Sequence, residues 1–433
     1  MNKSPINTKT NLKSMQASLP KWMPRMAFAP DGVAPRGDVL ICIFQRGGMD
    51  GLNALVPLGD SDYFRARPTL GIQPPKTGDA TTAIALDNFF GLHPALAALK
   101  PIWDAKQLAP IHACGSPDPT HSHFDAMDYM ERGTPGAKTL GTGWLGRHLV
   151  TLNTGNASPL RAVGMGNMLQ QSLRGPVSAT ALQSIANFHL RGQQQNIAQI
   201  QQALAQLYAI PQSNADPLLA SSAEAIDSIF GLLGSINPDT YIPANGAQYP
   251  QTDFGQGLKQ IAQIIKAEVG LEVACVDIGG WDTHAEQADE LTQLLAEFGN
   301  GLAALWADLR DKLKSVVIVT MSEFGRRLAE NGSGGTDHGQ GNAMFVVGGS
   351  ANGGKVHGRW PGLASDKLVG PGDLAMTTDY RTILSEILLA RLGNKNLAEV
   401  FPGFNAPGGL GVVQSNLALL NLSPRAFLPM LSK

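Results

Sequence analysis

The sequence predicts an α/β protein, a three-layer α/β/α sandwich in which helices cover both faces of a mostly parallel central sheet. Four short apolar runs rich in β-branched residues predict strands buried on both faces, at 39–44, 108–113, 271–278 and 316–320. A long helix predicted at 285–313 joins the last two, as a right-handed crossover between parallel strands requires. The chain also holds 49 Gly and 28 Pro in 433 residues, which favours long loops over a sheet.

The composition excludes several classes of protein. Lys and Arg total 33 against 35 Asp and Glu, a net charge of −2, so we expect neither nucleic acid nor an acidic membrane as a partner. No apolar run approaches the length of a membrane span, so no transmembrane segment is expected. Cys42, Cys114 and Cys275 each lie in or beside an apolar run, which predicts buried thiols rather than disulfides.

The chain divides into an arm and one large domain. Residues 1–36 are polar, contain prolines and lack both a twin arginine and an apolar signal core, so we expect a loosely ordered arm and no export signal in this sequence. Residues 37–433 would form the domain. Helices expected at 184–208, 216–233 and 254–269 predict a helical cap or insertion at about 150–270 that shapes the rim of the site.

Chemically capable residues follow the first two strands. Asp50 comes just after strand 39–44, where a carboxylate either binds a ligand or caps the next helix. Ser122 comes after strand 108–113 and near the start of a helix, between His121 and His123. Its hydroxyl is a helix cap or a nucleophile, and His123 is the nearest base if water attacks instead.

The later strands end in acids and histidines. Asp282 and His284 follow strand 271–278 in a glycine-led turn, and Glu323 follows strand 316–320. A glycine-rich loop then leads to Asp337 and His338, just before a fifth apolar run at 343–347. Because the carboxyl ends of parallel strands meet at one edge of a sheet, these side chains are candidates for a shared site.

The mixture of carboxylates and imidazoles predicts a divalent metal. Carboxylate oxygens with neutral imidazoles suit Zn, Mn or Fe, or Mg or Ca if oxygen dominates, as one or two ions. Such a site could lower the pKa of a hydroxyl or water and neutralise an anionic substrate. Arg46 and Arg326 lie near strand ends, where they either hold substrate oxygens or are ordinary neighbours of the strands.

Five motifs together resemble the bacterial family called domain of unknown function 1501, in the alkaline-phosphatase and sulfatase superfamily. The resemblance covers nearly everything from about residue 37 to the end. Members of that family usually begin with a twin-arginine signal, which would imply export to the periplasm. The motifs are Arg46-Gly47-Gly48-Met49-Asp50-Gly51-Leu52-Asn53, Ser122-His123-Phe124-Asp125-Ala126, Gly279-Gly280-Trp281-Asp282-Thr283-His284, Ser322-Glu323-Phe324-Gly325-Arg326 and Thr336-Asp337-His338-Gly339.

The resemblance implies an alkaline-phosphatase-like fold and a role for each motif. Ser122 matches the position of the nucleophilic Ser or Thr, and Asp50 that of the first-strand metal ligand. Asp282, His284 and His338 match one metal centre, and Glu323 matches the acid shared with a second.

Three departures limit this reading. Phe324 stands where the superfamily commonly has His, the spacing of Asp282 and His284 is shorter than in phosphatases, and no Cys/Ser-x-Pro-x-Arg setting for a formylglycine nucleophile exists. Sulfatase chemistry of that kind is therefore not expected.

Three hypotheses for the function follow. The first is a metal-dependent hydrolase in which Ser122 attacks a phosphate or other anionic ester, carried by a small molecule or a polymer. The second is a non-catalytic metal-binding protein of the cell envelope that keeps the fold without the second centre. The third is a metal-dependent mutase or isomerase, which would form product without releasing inorganic phosphate.

Overall fold

An eight-stranded sheet runs through the centre of the protein in this computed structural model, which describes residues 38–156, 158–185, 236 and 241–416. The strands, in chain order, are β1 (Val39–Gln45), β2 (Leu55–Pro57), β3 (Ile84–Ala85), β4 (Phe90–Leu92), β5 (Leu108–Gly115), β6 (Ala162–Met165), β7 (Thr180–Leu182), β8 (Val273–Ile278), β9 (Val316–Met321), β10 (Arg326–Glu330), β11 (Thr336–His338), β12 (Asn342–Val347) and β13 (Thr378–Asp379).

The central sheet is mostly parallel, as predicted. Its strand order is β13-β5-β12-β9-β1-β8-β6-β7. Only β12 runs antiparallel to its neighbours, β5 and β9, within this sheet. The four strands predicted to share one sheet are β1, β5, β8 and β9, and they do so. The remaining strands form a three-stranded sheet, β2-β4-β3, and the hairpin β10-β11.

The helices fill the connections between strands. The α-helices are α1 (Gly51–Ala54), α2 (Ser61–Ala66), α3 (Lys100–Asp104), α4 (His123–Arg132), α5 (Trp144–Thr151), α6 (Asp253–Lys266), α7 (Gln287–Asp308), α8 (Tyr380–Ala390) and α9 (Leu397–Val400), with 3₁₀ turns at Pro94–Leu99, Gln171–Leu173 and Leu313–Ser315. Within the described residues, none of these helices has the length and apolar character needed to cross a bilayer.

The side chains of β1 show why the fold has three layers. Ile41 and Ile43 belong to an apolar core that includes α6 and α7, whereas Leu40 and Phe44 belong to a second core that includes α5 and α8. Successive residues of a strand point to opposite faces, so a continuous apolar run must be covered on both. The α/β sandwich with a mostly parallel sheet is therefore confirmed. The three cysteines are free and buried, as expected.

The described part of the region 150–270 contributes strands and a helix to the sandwich. β6 and β7 extend the central sheet beyond β8, and α6 packs in the core on one of its faces. These parts therefore belong to the sandwich itself, because their apolar residues complete its sheet and core. The arm 1–36 and the helices predicted at 184–208 and 216–233 lie outside the described residues, apart from positions 184 and 185, so a cap there stays a prediction.

Candidate metal centre

Loops at the carboxyl edge of the sheet carry the candidate site. β5 leads into a loop that ends at His123, the first residue of α4. Asp282 and His284 follow β8, Glu323 follows β9, and His338 ends β11. The sequence places these residues far apart, and the parallel sheet brings their loops to one edge.

Three side chains, His123, Asp282 and His338, converge on one point, and His284 lies beside two of them. Nε2 of His338 lies 3.0 Å from Nε2 of His123, 2.8 Å from Nε2 of His284 and 3.1 Å from Oδ1 of Asp282. The same Oδ1 lies 3.3 Å from Nε2 of His123 and 3.1 Å from Nε2 of His284. The ligating atoms of His123, Asp282 and His338 all lie within 4.8 Å of one another. The site therefore offers three imidazole nitrogens and one carboxylate oxygen.

The hydrogen bonds on the far side of each ring indicate which nitrogen carries the proton. Nδ1 of His338 bonds the carbonyl of His121 at 2.9 Å, and Nδ1 of His123 bonds the carboxylate of Glu323 at 2.7 Å. Nδ1 of His284 lies 3.5 Å from Oδ1 of Asp337. A carbonyl or carboxylate oxygen only accepts, so Nδ1 donates and Nε2 keeps its lone pair. The Nε2 lone pair of His338 therefore faces the Nε2 atoms of both His123 and His284.

This donor set fits a divalent metal ion. Facing lone pairs at such distances repel unless a positive charge lies between them. Metal–ligand bonds of about 2.0–2.2 Å place neighbouring ligand atoms about 2.8–3.6 Å apart, for angles between a right angle and the tetrahedral angle. The observed separations of 2.8–3.3 Å lie in that range. Rings held by an oxygen at Nδ1 are also the usual arrangement of metal-binding histidines.

Charge near the site favours an ionised carboxylate. Burial opposes ionisation of Asp282, but the hydrogen bond from Arg326 and the positive charge of its guanidinium lower the pKa of Asp282 to about 2. The hydrogen bond to Glu323 raises the pKa of His123, while burial lowers the pKa of His338. Asp282 and His284 are also the open side of the site, with 47% and 43% of their side chains exposed, so a ligand can approach there.

Arg326 uses its donors within the protein, and a role in binding substrate stays a prediction. Its side chain is fully buried, and its nitrogens donate to the backbone carbonyls of Gly47, Gly48, Trp281 and Thr336. Nη2 also bonds Oδ1 of Asp282 at 2.7 Å. Because its donors are used, Arg326 instead ties the ends of β1 and β8 to the hairpin and fixes the Asp282 carboxylate.

Arg46 is likewise held by the protein rather than free for substrate. Its Nη1 lies 3.2 Å from Glu131, and its Nη2 and Nε lie 3.1 and 2.9 Å from the two oxygens of Asp277. The guanidinium also packs 4.5 Å from the ring centre of Phe44. The two carboxylates therefore neutralise the charge of Arg46 and fix the orientation of its guanidinium.

Asp50 lies apart from the converging ligands, and the capping alternative describes it better. Its Oδ1 accepts from the amides of Leu52 and Asn53, the first turn of α1. Its Oδ2 accepts from Arg67 at 2.6 Å and from Gln287 at 2.6 Å. The side chain is fully buried, so a guanidinium supplies the positive charge that a metal was predicted to supply.

Glu323 and Asp337 stand behind the histidines instead of among the ligands. Oε1 of the buried Glu323 accepts from His123 and from the amide of Gly47 at 2.8 Å. Asp337 accepts from Asn331 at 3.2 Å, and this hydrogen bond lowers its pKa. Both acids orient a ring and do not themselves converge on the centre.

Ser122 occupies the N-cap of α4, immediately before His123. Its Oγ accepts from the amide of Asp125 at 3.5 Å, which is long for a hydrogen bond. The capping role is therefore present but weak, and the side chain is half-buried. A role for Ser122 as nucleophile stays a prediction.

Three functional contacts had no clear signal in the sequence. His123 was predicted as a base, yet it lies among the converging ligands. Phe324 packs its ring 4.8 Å from that of His123 and 4.7 Å from that of His338, forming a wall where a histidine was expected. Arg67 and Gln287, which hold Asp50, lie in stretches without any motif. Only the helix start at His123 could have indicated its position.

The fold and the site together define an α/β protein with a candidate centre of three histidines and one aspartate. A family model described as "Protein of unknown function (DUF1501)" matches residues 38–391, and the chain belongs to this family. No curated protein sequence matches the chain.

Solved structures with some similarity include a lipoteichoic acid synthase, an alkaline phosphatase and a periplasmic domain. The lipoteichoic acid synthase LtaP from Listeria monocytogenes is 8% identical at a TM-score of 0.31, covering 74% of this chain and 67% of its own. Alkaline phosphatase from the Antarctic bacterium TAB5 is 10% identical at 0.27, covering 72% and 92%. The C-terminal periplasmic domain of EcEptC from Escherichia coli is 8% identical at 0.30, covering 74% and 76%. Similarity at this level carries no information on activity or substrate.

Proposed function

We propose that the protein is a metal-dependent hydrolase of a phosphate or other anionic ester, with one ion held by His123, Asp282, His284 and His338. The convergence of three Nε2 atoms whose rings are each placed by an oxygen at Nδ1 carries the proposal. A divalent ion there would supply Lewis-acid polarisation of an ester oxygen and lower the pKa of an oxygen nucleophile.

The residues around the ion would bind and orient the substrate. The exposed side at Asp282 and His284 leaves room for an ester oxygen. α4 spans ten residues and starts at His123, so the amides of its first turn and the helix dipole favour an anion beside the same ligand. The charges of Arg46 and Arg326 are already neutralised by carboxylates, so the ion and this helix start would provide most of the attraction.

Ser122 is the proposed nucleophile. It adjoins His123, and its Oγ accepts a long hydrogen bond of 3.5 Å from the amide of Asp125. Attack by Ser122 Oγ would transfer the acyl or phosphoryl group to the serine and release the alcohol. Water would then hydrolyse the serine ester, which releases the acid and restores the Ser122 hydroxyl.

Metal analysis and hydrolysis assays test the proposal together. Protein purified without chelators should hold one divalent ion per chain and hydrolyse at least one of an aryl phosphate, a phosphodiester and a sulfate ester. A chelator should remove both the ion and the activity, and re-addition should restore both. A chain that binds no divalent ion, or hydrolysis that persists without it, would refute the proposal.

A metal-binding protein without catalysis is the second candidate, as a component of the cell envelope. The observation that favours it is the state of the two acids predicted for a second centre. Arg67 and Gln287 engage Asp50, and His123 and Gly47 engage Glu323. Tight binding of one ion without turnover of any of the three ester classes would select this candidate over the hydrolase.

A further inference from the structure

A buried hydrogen-bond network lies behind the loops that carry three of the four ligands. Gln287, the first residue of α7, donates from Nε2 to Oδ2 of Asp50 at 2.6 Å. Its Oε1 accepts from Oγ1 of Thr283 at 3.1 Å and from Oγ1 of Thr336 at 2.6 Å. All four residues are fully buried. None of them is among the converging ligands, and we call them the Gln287 clamp.

The chemistry of Asp50 fixes the direction of every bond in the clamp. A carboxylate that faces a guanidinium accepts hydrogen bonds, and the carboxylate of Asp50 contacts Nη1 of Arg67 at 2.6 Å. The amide of Gln287 must therefore turn its NH₂ group to Asp50 and its oxygen to the two threonines. Both threonine hydroxyls must then donate. A flipped amide would place its oxygen against the carboxylate oxygen of Asp50, with no hydrogen between the two acceptors.

The two threonines connect this network to the ligands. Thr283 lies between Asp282 and His284, and Thr336 lies two residues before His338. One amide oxygen thus joins the loop after β8 to strand β11, and the amide of Thr336 also bonds the carbonyl of Thr283 at 3.3 Å. At Gly335 a Cβ atom would come within 2.3 Å of the backbone of His284, so the two segments are already in closest contact there.

We propose that Gln287, oriented by Asp50, is a positioning residue that sets the spacing of Asp282 and His284 relative to His338 and thereby the affinity of the site for its metal. The inference rests on the proposed metal centre and assigns a role to Asp50 that does not involve contact with the ion. Groups that hold metal ligands from behind are known to influence affinity through the ligand geometry alone.

Matched variants test the clamp through metal affinity. Gln287→Met keeps the side-chain length and removes both polar atoms. Thr336→Val removes one hydroxyl at nearly constant shape, and Thr336→Ser keeps it. Gln107→Met is the control, because Oε1 of Gln107 accepts from Trp306 at 2.6 Å, outside the centre. Each full-length chain would be titrated with Zn²⁺ against a chromophoric chelator, and the visible spectrum of its Co²⁺ form and its unfolding midpoint in chelator would be recorded.

We expect Gln287→Met and Thr336→Val to bind Zn²⁺ about tenfold to a hundredfold more weakly and to change the Co²⁺ spectrum. Thr336→Ser and Gln107→Met should bind Zn²⁺ as tightly as the wild type does. This should hold even if Gln107→Met lowers the unfolding midpoint in chelator as much as Gln287→Met does. Unchanged affinity and spectrum in both Gln287→Met and Thr336→Val would overturn the clamp alone. A wild-type chain that takes up neither Zn²⁺ nor Co²⁺ would instead overturn the metal centre, and the clamp's role with it.

Discussion

Oε1 of Glu323 accepts a hydrogen bond from Nδ1 of His123 at 2.7 Å, and the Glu323 side chain is wholly buried. A carboxylate in this position makes the far nitrogen of the ring a better metal ligand. Glu323→Gln should therefore weaken Zn²⁺ binding about tenfold to a hundredfold while keeping the side-chain shape. Competition with a chelator measures the change.

The control for this change is Glu386→Gln. Glu386 also accepts backbone hydrogen bonds, from the amides of Gly411 and Val413, each at 3.0 Å. It lies on α8, away from the centre. Equal Zn²⁺ affinity in Glu323→Gln and Glu386→Gln would show that Glu323 has no influence on the ligand.

His338→Ala tests the shared ligand set most directly. His338 is the residue whose Nε2 contacts all three other ligand groups, so its loss should lower bound metal sharply. The ring is partly exposed, and the fold should survive its removal. Metal analysis after gel filtration, with circular dichroism as the check on folding, measures both effects. Retention of one ion per chain by a folded His338→Ala protein would rule out this centre.

Ser122→Ala separates a nucleophile from a helix cap. A lost cap lowers stability by about 0.5–2 kcal/mol and leaves the rate broadly intact. A lost nucleophile abolishes turnover and leaves the metal content unchanged. Thr252→Ala is the matched control, because Thr252 caps α6 by accepting from the amide of Gly255 at 3.2 Å. A Ser122→Ala protein that keeps its rate of ester hydrolysis would make Ser122 a cap only.

Arg67→Met should strongly destabilise the protein. The guanidinium and the carboxylate of Asp50 are both fully buried, and their contact is 2.6 Å. Removing one partner leaves an uncompensated buried charge, which lowers the free energy of unfolding by about 3–5 kcal/mol. Urea denaturation in chelator measures this difference.

Two further variants complete the test of this ion pair. Arg65→Met removes an exposed ion pair with Asp62 and should change the unfolding free energy little. The double variant Asp50→Asn with Arg67→Met should be less destabilised than the sum of the two single variants. Additive effects would mean that the two charges do not interact.

Stability should fall as the pH is lowered from about 6.5 to about 4. Burial lowers the pKa of His112 to about 4 and that of His148 to about 3. Below about pH 6.5 the unfolded chain protonates these residues while the folded protein does not. Unfolding then takes up protons, so lowering the pH favours it across this window, with the full stability present above it.

Urea denaturation in chelator at several pH values measures this slope, and His148→Gln should reduce it. Nδ1 of His148 accepts from Asn394 at 2.9 Å, and Gln can present an acceptor there without titrating. The variant will be less stable at neutral pH, so the comparison concerns the slope alone. An identical slope in the variant would mean that His148 does not contribute to the acid sensitivity.

The sheet was predictable because its strands are long apolar runs. Residues such as Ile41 and Phe44 face opposite cores, and a run without polar alternation can only be a strand buried on both faces. The short strands β6 and β7 carry too few residues to distinguish a sheet edge from an insertion. β6 joins the sheet by pairing with β8, which lies more than a hundred residues later in the chain, and β7 joins it by pairing with β6.

The residue types at the candidate site could be predicted from the sequence more readily than the role of each residue. A polar residue at the carboxyl end of a strand indicated a shared site for Asp282 and His284, and a position just before the fifth apolar run did so for His338. The structure brings the three side chains together, and metal binding by them stays a prediction. Asp50 also follows the end of a strand, but its carboxylate is paired with Arg67, which lies in a stretch of the sequence without a recognisable motif. Whether an acid faces an ion or an arginine is decided by three-dimensional packing, and no local spacing carries that information.

His123 and His338 are 215 positions apart in the chain and their Nε2 atoms are 3.0 Å apart in the fold. An unfolded chain cannot gather such distant imidazoles, so an ion that binds the centre binds almost only the native state. Binding of that kind stabilises the native state by an amount that grows with the logarithm of the affinity and of the ion concentration, and it raises the unfolding temperature accordingly. A thermal melt in the presence of each candidate cation therefore ranks the metals by preference, and it does so before any substrate has been found.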